Sequence, residues 1–273
     1  MKRSLAVALQ QALMIVLALV SLYPLWFAAQ TALKTPESFS LDPTGLPNEP
    51  TLKNFFDLFS VMPFGLWTLN STMVVLASVV SATVISMLAA YAIVFGRFTG
   101  RLLFLNINIV LVALPTVALV VPLFTLMLQL GLIDTLWSVI IIYTGLLVPF
   151  STFFLVNFFR ELPVEIVEAA VIDGASHLEI LWRIIAPVSL AGVLTLVTIN
   201  SIWVWNEVLF ALVFLQDNKR RTVMAGLALL RGRYSTNEPL TMAGAVLSML
   251  PLLLVYLASQ KFFVRGMTTG LGK

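Results

Sequence analysis

The chain has 273 residues, 60% of them hydrophobic and 11% charged, with a mean hydropathy of +1.00; soluble domains run at roughly 45–50% apolar and about 25% charged, so an ordinary soluble enzyme, a disordered chain and a fibrous one are all excluded. Cysteine is absent and His177 is the single histidine, which excludes disulfides, thiolate metal sites and histidine clusters; no catalytic set and no metal site is expected. The formal net charge of +3 fits basic residues beside membrane helices better than nucleic-acid binding.

A helix needs about 20 apolar residues to cross the bilayer, so six crossings use roughly half the chain and leave no room for a sizeable soluble domain. The first apolar run follows Lys2 and Arg3 and is too long for a secretory h-region, which has about 7–15 residues, so it reads as an uncleaved span over about 10–32. Residues 34–63, with Pro36, Pro43, Pro47 and Pro50, read as a loop with a short surface helix around Asn54–Ser60. The second span covers about 66–95 and closes in a tight turn with Arg97 and Arg101. The third covers about 102–130 and contains Pro115 and Pro122, tolerated where neighbours satisfy the freed carbonyls. After Gly131–Asp134 comes the fourth, about 136–159. A polar segment, 160–186, precedes the fifth span at about 188–215. The sixth, about 242–263, follows loop 216–240. The expected architecture is an all-α membrane protein, one transmembrane domain over 1–273 with both termini on one side. With a cytoplasmic N-terminus, nine of the 16 basic residues fall inside and seven outside, five of these in 216–240, so the charge rule favours that orientation only narrowly.

Residues 163–187 are more than a connection. Pro163 suits a helix start, and Val164–Ile172 can be helical with Glu165 and Glu168 near the positive end. Asp173-Gly174 is a stop, because glycine takes the left-handed C′ position without steric cost. Ser176 and Glu179 have capping-box spacing for a second helix. On it Leu178, Leu181, Trp182 and Ile185 form an apolar stripe and Glu179–Arg183 an i,i+4 pair. The stripe fits either the bilayer surface or a groove on another protein. His177 reads as a solvated helix-start residue. In the fifth span, Asn200, Trp203 and Glu207 share a helical face beside Trp205 and Asn206. Aromatic, amide and carboxylate together suit sugar hydroxyls and make Asn200, Trp203, Asn206 and Glu207 candidates for a substrate pathway. Equally, Glu207 could occupy a helix break near the outer interface or bond a partner subunit, and the tryptophans could be interfacial anchors.

Glu168-Ala169-Ala170, then Gly174, Ile184 and Pro187, resemble the EAA loop of binding-protein-dependent ABC importer permeases. Every spacing of that pattern is met, with Ala186 where leucine is usual. Tyr91-Ala92 with the Arg97–Arg101 turn, 131–135, 158–163, Trp205-Asn206 and the tail from Gln260 are similar to the sugar (maltose-type) branch, the tail departing at Lys261 and in its last residues. The resemblance implies a cytoplasmic two-helix coupling loop between spans 4 and 5, with cytoplasmic termini. Glu168, Ala169, Ala170, Asp173, Gly174, Ile184 and Pro187 would couple it to a dimeric cytoplasmic ATPase. It further implies a second permease subunit in a heterodimer, an extracytoplasmic solute-binding protein facing 34–63 and 216–240 (with Arg220, Arg221, Arg231 and Arg233), a sugar or polyol as substrate, and membrane lipid around the spans of a bacterial or archaeal inner membrane. No nucleic-acid partner is expected. The chain carries no GxxxxGK[ST] loop, its one Gly-Lys pair being Gly272-Lys273, so no cofactor is expected on it and ATP with Mg belongs to the partner ATPase. An amino-acid or peptide permease and a secondary transporter are the alternatives. The latter would normally show ion-coupling carboxylates or inverted repeats.

Overall fold

The computed structural model describes residues 2–233 and 237–269, without the side chains of residues 2–6, 8, 231–233, 258–259 and 261–269. The side chains of Arg231 and Arg233, and the end of the tail, therefore lie outside the described residues. The described chain is helical. Its elements are α1 (Lys2–Ala32), α2 (Pro36–Leu41), α3 (Lys53–Val61), α4 (Phe64–Phe95), α5 (Arg101–Val112), α6 (Val120–Gln129), α7 (Leu136–Arg160), α8 (Val164–Ile172), α9 (His177–Ile180), α10 (Ala186–Val188), α11 (Leu190–Asn206), α12 (Leu209–Phe214), α13 (Val223–Arg233) and α14 (Glu238–Thr269).

The α4–α7 pair is the spine of the bundle, with α5 against α7, α11 against α4 and α14, and α1 against α14. Ser78, Ala82, Ser86 and Ala90 recur every four residues on α4 and all are fully buried. Small residues at that spacing let two backbones approach closely where lipid offers no hydrophobic drive between helices. The approach is tight enough for Ser78 Oγ and Ser86 Oγ to donate to the Ile140 and Val148 carbonyls of α7, at 3.4 and 3.3 Å.

Two apolar runs expected as straight spans are bent. Run 102–130 turns through 95° between Val112 and Thr116. Pro115 has no N–H to donate and disfavours helical geometry at Leu114. Pro122, by contrast, sits in the first turn of α6, where a missing N–H is harmless. Run 188–215 ends at Asn206 and restarts at Leu209 as α12. Among the described residues four helical stretches are long and apolar enough to span unbroken: Leu9–Ala32, Phe64–Phe95, Leu136–Arg160 and Glu238–Leu257. Counting as one span each the two pairs bent at a short break, Arg101–Val112 with Thr116–Gln129 and His177–Val188 with Leu190–Asn206, brings the number to six.

The connection 34–63 is more ordered than a loop. Thr35 caps α2 through the Ser38 N–H and Pro36 follows at the first helical position, a signal present in the sequence but not read from it. Lys34 is fully buried and its ammonium donates to the Asp42 and Pro43 carbonyls at 2.7 and 3.2 Å. On α3, the buried Asn54 amide donates to the Ala32 and Lys34 carbonyls at 2.7 and 2.8 Å. On the same side of the bundle, Asp134 takes a left-handed φ of 59°. Its Oδ1 accepts the Gln216 and Asp217 N–H groups at 3.0 and 2.9 Å, while Arg220 donates to its carbonyl and lies 3.4 Å from Oδ2. Arg221 donates to Asn218 and the Gln216 carbonyl at 2.8 and 3.0 Å. Trp67 and Asn70 of α4 bind the carbonyls of 218, 219 and 221. Arg220 and Arg221 thus stitch this segment to its own chain.

Candidate functional site

The elbow at 164–189 is built by local rules. Pro163 is the N-cap, so α8 starts one residue later than Pro163 itself. Gly174 has a φ of +82°. Its N–H donates to the Val171 carbonyl and that of Ala175 to the Ala170 carbonyl, both at 3.0 Å. That paired closure is a Schellman motif, and it satisfies carbonyls that α8 would otherwise leave open. Ser176 Oγ then accepts the Glu179 N–H at 3.3 Å, and Glu179 Oε2 accepts the Ser176 N–H at 3.1 Å, completing the capping box. The Ser176 N–H and hydroxyl, with Arg183, hold the Glu179 carboxyl below the ordinary glutamate range. After α9 the chain widens into a π-helical turn, Leu181–Ile185, ahead of Pro187, which cannot donate to the Arg183 carbonyl. The stretch bends 82° at Ser189 into α11.

The inward face of the second helix is centred on Ile180, Leu181 and Ile185. All three are fully buried, and with Val167 and Ala170 they pack on Tyr91, Leu155 and Phe159 at the ends of α4 and α7. Of the expected stripe, Leu181 and Ile185 are inward, but Leu178 and Trp182 stay 60% and 44% exposed. His177 is not simply solvated. Its Nδ1 lies 3.0 Å from the Tyr91 hydroxyl in a hydrogen bond, which joins the second helix of the elbow to the end of α4. Neither partner carries a sequence cue for the other, since they are 86 positions apart.

The structure brings Asp173, Gly174 and Ile184 to one concavity of about 290 Å³ on the inside of the elbow, with Glu179 and Arg183. Glu168 faces a second one, of about 770 Å³, with Arg97, Arg101 and His177. Its carboxylate lies 3.7 Å from Arg97; both are exposed, and an exposed pair contributes about 0–1 kcal/mol. Ala169 and Pro187 are exposed, whereas Ala170 is buried. Val171 and Ile172, 48% and 85% exposed, line the same concavity as Glu168 and are left uncovered by the described residues.

The second candidate set, in the bundle, separates into different roles. Asn200 is buried and donates to Ser151 Oγ at 2.9 Å. Trp203 meets Tyr143 edge-on at 5.9 Å. Both line a cavity of about 620 Å³ between the bent third run, α7 and α11, whose remaining wall is apolar except at Thr116. Asn206 and Glu207 do not line it. The Asn206 amide returns to its own helix at the Ile202 carbonyl, 2.8 Å away. Glu207 occupies the break between α11 and α12. Its Oε1 accepts the Phe210 N–H at 3.0 Å, and Oε2 accepts the Ala211 N–H at 3.3 Å and the Tyr143 hydroxyl. The common face expected for Asn200, Trp203 and Glu207 is thus divided at that break: the carboxylate caps α12, and its acceptor positions are largely occupied.

Broken and unbroken apolar helices of membrane-crossing length, carrying a two-helix elbow, define a multi-pass membrane protein. Residues 82–269 match the family described as the binding-protein-dependent transport system inner membrane component. The chain belongs to that family; it is a multi-pass permease subunit of an ABC importer in the cytoplasmic membrane. It is 34% identical to the sulfoquinovosyl glycerol transport system permease protein SmoH of Agrobacterium fabrum over 91% of this chain and 88% of that one. It is also 34% identical to the trehalose/maltose transport system permease protein MalG of Thermococcus litoralis, over 94% and 93%, and to the sn-glycerol-3-phosphate transport system permease protein UgpE of Pectobacterium atrosepticum, over 93% of each. Among solved structures, a chain of a bacterial ABC transporter involved in the import of the acidic polysaccharide alginate shares the fold, with a TM-score of 0.80 at 24% identity over 95% of this chain and 97% of that one.

Proposed function

We propose that this subunit forms one half of a permease heterodimer that imports a sugar or related polyol, driven by a dimeric cytoplasmic ATPase seated on residues 160–186. In that arrangement the termini and the elbow are cytoplasmic, the segments 34–63 and 216–240 face an extracytoplasmic solute-binding protein, and ATP with Mg is bound by the ATPase alone. The observation that carries the reading is the elbow itself. Its Schellman closure at Gly174 and its seat on α4 and α7 make it a rigid extension of the bundle, while the Val171–Ile172 face is left uncovered. A rigid lever transmits a displacement that a flexible loop would absorb. When ATP closes the ATPase dimer, the elbow carries the motion through α11 and the ends of α4 and α7, and access alternates. The carbohydrate-type names of the relatives support the substrate class. Asn200 and Trp203, on the cavity wall, are the proposed pathway residues of this chain.

The test is co-purification of the tagged chain in mild detergent, intact and as the Glu168→Ala/Gly174→Pro variant, with mass spectrometry of the co-eluting subunits and an ATP-hydrolysis assay. An ATPase and a second permease accompanying the intact chain, lost or uncoupled in the variant, is the expected result. An intact chain that purifies alone without nucleotide hydrolysis would overturn the proposal.

A further inference from the structure

We propose that α3 is an interfacial helix whose Leu52–Phe56–Phe59 edge lies in the headgroup–acyl boundary of the bilayer. The helix is tied closely to two spans. Only Met62 and Pro63 separate its last residue from Phe64, the first of α4, a step of at most about 10 Å of chain. At its other end Asn54 is bonded to the terminal carbonyls of α1. Those bonds, with Leu58 packed against Phe64, Trp67 and Leu227, fix the rotation of the helix.

Fixed in this way, α3 presents two stripes at i, i+4, i+7. Lys53, Asp57 and Ser60 form the polar one. Leu52, Phe56 and Phe59 form the apolar one, exposed by 59%, 71% and 58%. An amphipathic helix of this kind lies in the membrane plane with its apolar side in the boundary region. The bilayer is the occupant because the stripe stands where two spans end, with α1 bonded to one end of α3 and α4 starting at the other. The Phe59 ring meets that of Phe64 edge-on at 5.4 Å. Phe64 itself is buried, and the exposed side of α4 begins two residues further on, at Leu66, Leu69 and Met73. Tyr23 and Trp26, near the end of α1 that leads into this connection, are also exposed, where aromatic rings mark a membrane–water interface. So placed, α3 pins the 34–63 connection to the membrane surface and turns its polar stripe to water.

The chain's lack of cysteine allows single nitroxide labels. Phe56→Cys, Phe59→Cys, Lys53→Cys and Ser60→Cys are labelled in the assembled transporter in nanodiscs, with the partner subunits' cysteines replaced. Power saturation is then read with oxygen and with a nickel chelate. Leu52→Cys supplies a third apolar position should a label at 59 disturb the Phe64 contact. The expected result is an oxygen-to-nickel accessibility ratio several-fold higher at 52, 56 and 59 than at 53 and 60. Equal nickel accessibility at both stripes would place α3 in water and overturn the proposal. Exclusion of both reagents from the apolar stripe would assign it to a partner protein and overturn it equally. Neither outcome bears on the substrate or coupling roles, which the co-purification tests separately.

Discussion

Two glutamates each cap a helix in this chain, in opposite surroundings. Glu179 closes the capping box of α9 at the surface, three residues from its serine, with Arg183 at 3.5 Å. Glu207 caps α12 inside the bundle and accepts from a tyrosine 64 positions away. At the surface, water stands ready to take over any donor that the carboxylate releases. At the half-buried Glu207 the donors themselves, on Tyr143, Phe210 and Ala211, are buried, and an orphaned buried donor costs about 1–3 kcal/mol. The same device is therefore an adjustment at the elbow and a structural requirement at the break.

Substitutions can sharpen that contrast. The largest effect is expected for Glu207→Leu, which orphans the Tyr143 hydroxyl and two backbone N–H groups at about 1–3 kcal/mol each. Thermal unfolding of the purified assembly should fall sharply, whereas Glu207→Gln, which keeps an acceptor, should fall little and retain solute uptake. Abolished uptake in a Glu207→Gln assembly of normal stability would return this carboxylate to the solute. Next comes Gly174→Ala. An added Cβ meets nothing within 4 Å, so the penalty is the left-handed backbone alone, about 1–2 kcal/mol. Solute imported per ATP hydrolysed should drop, and Gly174→Asn, which tolerates that conformation, should recover most of it; unchanged coupling in both would mean that the elbow angle does not matter. Ser176→Ala should be smallest. Because the folded Glu179 carboxyl sits below its ordinary range, its contribution is present above the unfolded pKa and lost as pH falls through the folded one. Corrected for the intrinsic exchange rate, the protection of amides 176–180 should therefore fall on acidification in the parent and less so in Ser176→Ala; parallel profiles would disprove the linkage.

The same contrast explains what could be read in advance. The elbow is local: a glycine stop, a serine and a glutamate three residues on, all within one stretch of chain, so its two helices and their joint were legible. Its rotation was not, because it is set by packing on α4 and α7, which buries Ile180 with Leu181 and Ile185 and leaves Leu178 and Trp182 outside. A helix break at Glu207 was among the readings the sequence allowed, but the Tyr143 contact and the Tyr91–His177 bond depend on helices brought together by folding, and periodicity carries no trace of them. The bend at Pro115 was half-visible: the proline was plain, but membrane helices keep many prolines without bending through 95°.

The basic residues of the outer connections carry a consequence for membrane insertion. In the proposed orientation Lys34, Arg220 and Arg221 lie on the side that the positive-inside rule disfavours. Each is held by its own chain: Lys34 on two carbonyls, Arg220 on Asp134, Arg221 on Asn218 and Gln216. While the chain is being threaded into the membrane those contacts do not yet exist, and the charges oppose translocation of their segments. Once folded, the same charges hold the segments shut. The weak charge asymmetry of this sequence thus records a conflict between two stages in the life of the chain, biogenesis and the finished fold, and at these three positions the finished fold prevails.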